Sequence, residues 1–197
     1  MLEKLQSKGL KKFDELGFPS KKLENWKFSS SKHLKKYNSS YRSDAISLTD
    51  KYKDKYTLCF FNGQLLKESL ENFIYRKEIT ISDIKSIDDK SITSTSSNYE
   101  KEALFNLGLA TIESGKYFEF DKNATFDKPI QIINFFSKDD EDLRIASYNI
   151  FKINESNNVS IIEKDINSGA GSFNLCLNKF ICSDNSILNH SMLYDDK

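Results

Sequence analysis

The sequence predicts a mainly β fold with an N-terminal α/β region, its strands wound as an irregular solenoid or packed as a β-sandwich. Three observations carry this. After Gly115 six strand-like runs follow in close succession: KYFEF, PIQIINFF, IASYNIFKI, VSIIEKDI, SFNLCLNKFIC and SILNHSML. They are separated by KNAT, KDDED, NESNN, SGAG and SDN, all rich in turn-forming residues, and no helical period interrupts them. Asn also stands just before a new strand at Asn123, Asn158 and Asn185, at intervals of 35 and 27 residues. Unequal intervals exclude a strict repeat but permit irregular coils whose inward residues stack. A β-sandwich satisfies the same pattern.

The elements before Gly115 read in order. Leu2, Leu5, Phe13 and Leu16 recur at helical spacing, with Gly9 weakening the middle and Gly17 and Pro19 stopping the helix. Ser20 can cap a short turn that displays Leu23 and Trp26 on one face, and Ser29 to Ser31 offer a second cap before His33 and Leu34. Residues 38–55 are polar and predict a connecting loop. TLCFF, Asn62-Gly63 and QLL predict a hairpin whose two central residues take positive φ. Residues 82–97 predict another loop. Ser97 and Glu100 fit a capping box before a helix of about four turns carrying Ala103, Leu104, Leu107 and Ala110. The chain therefore divides at 1–56 (helical region), 57–114 (hairpin, loop and helix) and 115–197 (first coils of a solenoid). The strand pattern runs to Leu193 with no capping element, which predicts a truncated chain whose open last coil either self-associates or is covered by Tyr194 to Lys197.

Composition narrows the function classes. The 29 basic and 29 acidic residues cancel, which argues against nucleic-acid binding. Ten lysines lie within residues 1–36 against only Glu3, Asp14, Glu15 and Glu24. They form either a basic docking surface or the solvated faces of amphipathic helices. No run reaches the ~18–20 apolar residues of a membrane span, so no membrane partner is expected. Acidic residues among the N-terminal lysines, with no continuous apolar core, fit neither a signal nor a transit peptide. Cys59, Cys176 and Cys182 are odd in number and form no CxxC. They predict reduced, buried, strand-borne thiols in the cytoplasm rather than disulfides or a closed zinc site.

A search for chemistry finds no active site. Ser168–Gly171 lacks the Lys-Ser/Thr of a phosphate loop and reads as a turn. His33 reads as a surface residue, and His190 lies in a strand with no carboxylate or Cys at metal-ligand spacing. Cys176 and Cys182, six apart, share a face of one straight strand but stand about 20 Å apart by strand rise. Asp139 to Asp142, Asp195 and Asp196 lie in turns or at the terminus, and no carboxylate pair on stacked strands is evident. No catalytic, cofactor-binding or metal residue is therefore assigned, and the chain is expected not to be an enzyme.

The motifs together resemble a known family. GFPSKKLENWKFSS is similar to a Gly-Leu-Pro-Thr stretch followed by Glu-x-Trp-Lys-Tyr-Thr, matched here by Gly17, Pro19, Glu24, Trp26 and Lys27, with Phe18, Ser20 and Phe28 as departures. CFFNGQL (59–65) resembles a Val-Asn-Gly hairpin. ALFNLGLA, a Gly, then strands containing KPIQIINFF resemble the start of a β-helix with its Lys-Pro-Ile turn, and 145–190 resembles its first coils. In this order the motifs resemble the N-terminal half of SufD, in the SufB/SufD family of iron–sulfur cluster assembly scaffold proteins. The resemblance implies a right-handed parallel β-helix preceded by a small helical domain. It implies a non-catalytic scaffold that pairs with SufB through the β-helix and binds the ATPase SufC through C-terminal helices. The full complex assembles iron–sulfur clusters; this stretch is expected to bind none itself. The family's interface residues lie in its C-terminal half, and no role passes to His190. The alternatives are an unrelated β-solenoid enzyme acting on polysaccharide, expected to show an exposed groove of clustered charges, and a plain protein-interaction module.

Overall fold

Leu2–Leu16 forms helix α1 in the computed structural model, which describes residues 2–36, 38–39, 48, 50–88, 98–136, 143–166 and 172–195. The helix ends where expected: Gly17 takes φ 65° and its N–H donates to the Phe13 carbonyl at 2.7 Å. Gly9 plays a different part from the one expected. It is the buried contact point of α1 against α3 (Ala103–Ala110). A Cβ there would lie 2.6 Å from the Ala110 backbone nitrogen and 2.7 Å from the Leu109 Cβ. Close helix–helix approach thus outweighs a propensity cost of roughly 1 kcal/mol.

Residues 17–36 follow as two short 3₁₀ turns, Glu24–Trp26 and Lys32–Lys36. The second is anchored by buried Leu34, and the Ser31 hydroxyl donates to the Pro19 carbonyl at 2.5 Å. The shared Leu23/Trp26 face is not formed: Trp26 is half-buried while Leu23 is 53% exposed. In the polar stretch that follows, Asn38–Ser39 forms strand β1, and Asp50–Tyr52 a further 3₁₀ turn.

Strands β2 (Thr57–Phe61) and β3 (Gln64–Leu65) make the expected hairpin, with φ of 47° at Asn62 and 78° at Gly63. Every residue of β2 is buried because the strand is interior to its sheet. Helix α2 (Lys67–Asn72) and strand β4 (Ile79–Asp83) come next, elements the sequence reading passed over. Ser82 and Asp83, expected in a loop, sit in β4, antiparallel to β5 (Lys116–Phe120). The four-turn helix expected after Ser97 is shorter. Asn98–Lys101 is a 3₁₀ turn, Glu102 is extended (φ −91°, ψ 122°), and α3 starts only at Ala103. Ser97 lies outside the described residues.

All six expected strands after Gly115 form: β5, β6 (Ile130–Phe135), β7 (Leu143–Ile153), β8 (Asn158–Ile166), β9 (Ser172–Cys182) and β10 (Ile187–Asp195). They alternate between two sheets, so that β7 pairs in parallel with β5 and β9, while β8 pairs in parallel with β6 and β10. The first sheet is completed by β1 and β4, the second by β2 and β3. Apart from β2/β3 and β4/β5, the ladders are parallel. The structure is therefore mixed α/β, with two mostly parallel sheets and few helices. The middle segment of the chain shares both sheets with the last.

One set of corners stacks visibly. Asn123, Ser156 and Asn185 all take the left-handed conformation, at φ 56°, 60° and 57°. The corner residue of the middle turn is thus Ser156 rather than the expected Asn158, which already begins β8. Asn157, buried behind that corner, donates from Nδ2 to the Asp121 carbonyl at 2.8 Å, and its own carbonyl accepts from Ile187 N at 2.7 Å.

Apolar layers fill the spaces between and outside the sheets. Phe118, Phe120, Ile130, Ile132, Phe151, Ile153, Val159 and Ile161 belong to the core between them. The Phe118 and Phe151 rings are stacked at 4.5 Å, and Phe151 and Phe180 at 5.0 Å. α1 and α3 cover the outer face of the first sheet through Leu2, Leu5, Leu109, Tyr117, Tyr148 and Ile150. Leu48 and Tyr52 cover the second at Cys59, Ile133 and Ile166. Among the described residues no helix is long and apolar enough to cross a membrane.

Candidate functional site

Along β8, Val159, Ile161, Glu163 and Asp165 share the parity that faces the first sheet. The first two are core residues; the last two are acids. Glu163 is only 1% exposed, and three strands supply its hydrogen-bond partners. Asn134 of β6 donates from Nδ2 to Oε1 at 2.9 Å, and Asn178 of β9 donates from Nδ2 to Oε2 at 2.7 Å. His190 Nε2 of β10 lies 3.1 Å from Oε2. Because β9 belongs to the first sheet, this one carboxylate ties both sheets together.

Neighbouring amides extend the network. Asn134 Nδ2 also donates to Asp165 Oδ1 at 2.8 Å. Asn149 Nδ2 donates to Asn178 Oδ1 at 3.3 Å, while its own Oδ1 accepts from Lys116 N at 3.0 Å. Burial, followed by the nearby Glu163 charge, raises the Asp165 carboxyl above its ordinary value, with the Asn134 hydrogen bond opposing. Burial pushes the Cys176 thiol up to about 12, Ser147 opposing and the two acids adding to it. A thiol so placed is protonated and a poor nucleophile. A buried carboxylate met by side chains from three strands fixes register.

The structure corrects one expectation here. His190 does have a carboxylate beside it. Parallel pairing sets His190 opposite Ile161, and Glu163 is the same-face neighbour two residues on. Glu163 and Asp165 do share a face, but both lie on the single strand β8 rather than on stacked strands, and that face points between the sheets and is held by amides. It is not the exposed groove that a polysaccharide enzyme requires. The signal available in the sequence was two acids at the inward parity of VSIIEKDI.

The remaining candidates scatter. His33 is exposed on a 3₁₀ turn. Cys59 is buried in β2, where burial and then the Glu68 charge push its thiol up to about 12. Cys176 and Cys182 sit in one strand opposite Ser147 and Ile153, on one face as expected and six residues apart. Cys182 is exposed, contrary to the expectation of burial, because no strand beyond β9 covers it among the described residues. Asp195 ends β10, whereas Asp139 to Asp142, Asp196 and Ser168–Gly171 lie outside the described residues. An open cleft of about 820 Å³ near the start of α1, lined by residues such as Glu3, Gln6, Lys85 and Glu113, mixes both charges. No protein-family model matches the chain, and no curated protein matches it.

Proposed function

We propose that the chain is a scaffold piece of an iron–sulfur cluster assembly complex, the N-terminal half of a SufD-like protein, without chemistry of its own. One observation carries the reading: six successive strands alternate between two sheets and pair in parallel with the strand two places on. That connectivity supports a β-helix, and it follows the Trp26 segment, the Asn62-Gly63 hairpin and α3 in the order the family resemblance implies. The Phe118–Phe151–Phe180 stack and the Asn149–Asn178 pair supply the coil-to-coil ladders such a solenoid uses. SufB and SufC are the proposed partners of the full-length protein. A register-fixing interior, with thiols at about 12, suits a scaffold better than a catalyst.

The test is complementation. A full-length gene that continues this sequence in frame through the family's C-terminal half, expressed in a bacterium lacking SufD, is expected to restore iron–sulfur enzyme activity and to co-purify SufB and SufC. A stable product that restores nothing and captures neither partner sinks the proposal. The 197-residue chain alone is expected not to retain SufC. The free edges of β9 and β10, each with one hydrogen-bonded neighbour among the described residues, favour self-association of this chain in solution.

A further inference from the structure

We propose that the exposed segment from Lys21 to Phe28 docks this protein on an anionic lipid bilayer. Of residues 20–30 only Trp26 is partly buried. Phe28 is 92% exposed and Leu23 53%. The Lys27 ammonium sits 5.6 Å from the centre of the Phe28 ring. Phe28 and Leu23 thus bring two large open apolar side chains into one short lysine-rich stretch.

Charge gives the occupant. Residues 1–36 hold ten of the 29 basic residues and four of the 29 acidic ones, so this stretch carries +6 and the remainder −6. That separation draws the lysine-rich stretch of a neutral molecule toward an anionic surface. All ten cations are lysine, a compact point charge suited to a diffuse field of head groups, whereas bidentate phosphate or base recognition favours arginine. Exposed Leu23 and Phe28 interleave with Lys21, Lys22 and Lys27 along one short stretch, against the single acid Glu24, the chemistry of an interfacial anchor: lysines at the head groups, apolar groups just beneath. The expectation of no membrane partner rested on the lack of a spanning segment, which does not bear on surface docking. The proposal is independent of the scaffold reading.

Trp26 is the only tryptophan, so its emission reports on the segment directly. The protein is titrated with vesicles of phosphatidylcholine containing about one third phosphatidylserine, and with pure phosphatidylcholine. The anionic vesicles are expected to shift the emission to the blue and to co-sediment the protein, whereas neutral vesicles do neither. Affinity is expected to fall about tenfold or more in a Lys21→Glu, Lys22→Glu, Lys27→Glu variant, and likewise from about 0.1 to 0.5 M salt. Phe28→Ser is expected to remove most of the blue shift; the side chain is so open that folding is unaffected, as circular dichroism checks. Equal binding to neutral vesicles, no binding at all, or undiminished binding by the charge-reversed variant overturns the proposal. A blue shift with polyglutamate but none with vesicles also overturns it and assigns the surface to an acidic protein.

Discussion

The two ends of the space between the sheets are built from the same strands and stabilised by different physics. Near the stacked corners, Phe118, Phe120, Phe151, Ile153 and Ile161 fill it with apolar volume. Farther along, Asn134, Glu163, Asp165, Asn178 and His190 fill it with hydrogen bonds. The apolar end depends on area and tolerates changes of shape. The polar end depends on partners, and a side chain of the right size but wrong chemistry leaves several buried donors unmatched. The first end supplies cohesion and the second fixes which strand faces which.

Thiol reactivity should separate buried from open positions most widely. Thiols of Cys59 and Cys176 raised from 9.0 to about 12 expose about a thousandfold less thiolate than an ordinary one. Alkylation at pH 8 followed by mass spectrometry should therefore label exposed Cys182 well before the other two; simultaneous labelling would contradict the buried placement. Next in size, Glu163→Met should cost about 3–5 kcal/mol in urea unfolding, because Asn134, Asn178 and His190 lose their shared acceptor. Phe151→Leu, at the middle of the aromatic stack, should cost only about 1.5 kcal/mol. Equal losses at the two positions would erase the contrast.

The smallest effect has the opposite sign. The folded state holds a proton on Asp165 more tightly than the unfolded state does, so its charge at neutral pH opposes folding, and that penalty fades as pH falls toward the raised value. Asp165→Asn should raise the melting temperature slightly at pH 7, with the gain shrinking on acidification toward the ordinary carboxylate value of 3.8. A gain that grows on acidification would reverse the assignment.

Most strands were legible because alternation and turn residues are local. KYFEF and VSIIEKDI announce their inward faces, and Asn62-Gly63 announces its turn. What escaped depends on register. Asn134 and Glu163 lie 29 residues apart and Glu163 and His190 27 apart, so only the parallel pairings bring them together. β4 escaped because its ITISD sits beside polar residues that read as loop, and its partner β5 is what makes it a strand. Gly9 escaped because a packing glycine and a weak helix residue look alike until α3 is laid against it.

The unequal corner spacing has a mechanical side. β10 is tied laterally to β8 alone among the described residues, through nine successive register pairs from Ile187 to Asp195. A pull that lifts β10 away from β8 meets those bonds one after another, as in opening a zipper, while a pull along the strand loads them together. The molecule should therefore resist stretching along its strands far better than peeling across them. A protease or unfoldase that grips β10 would find the soft direction, and the Glu163–His190 contact is a tooth in that zipper reinforced from within.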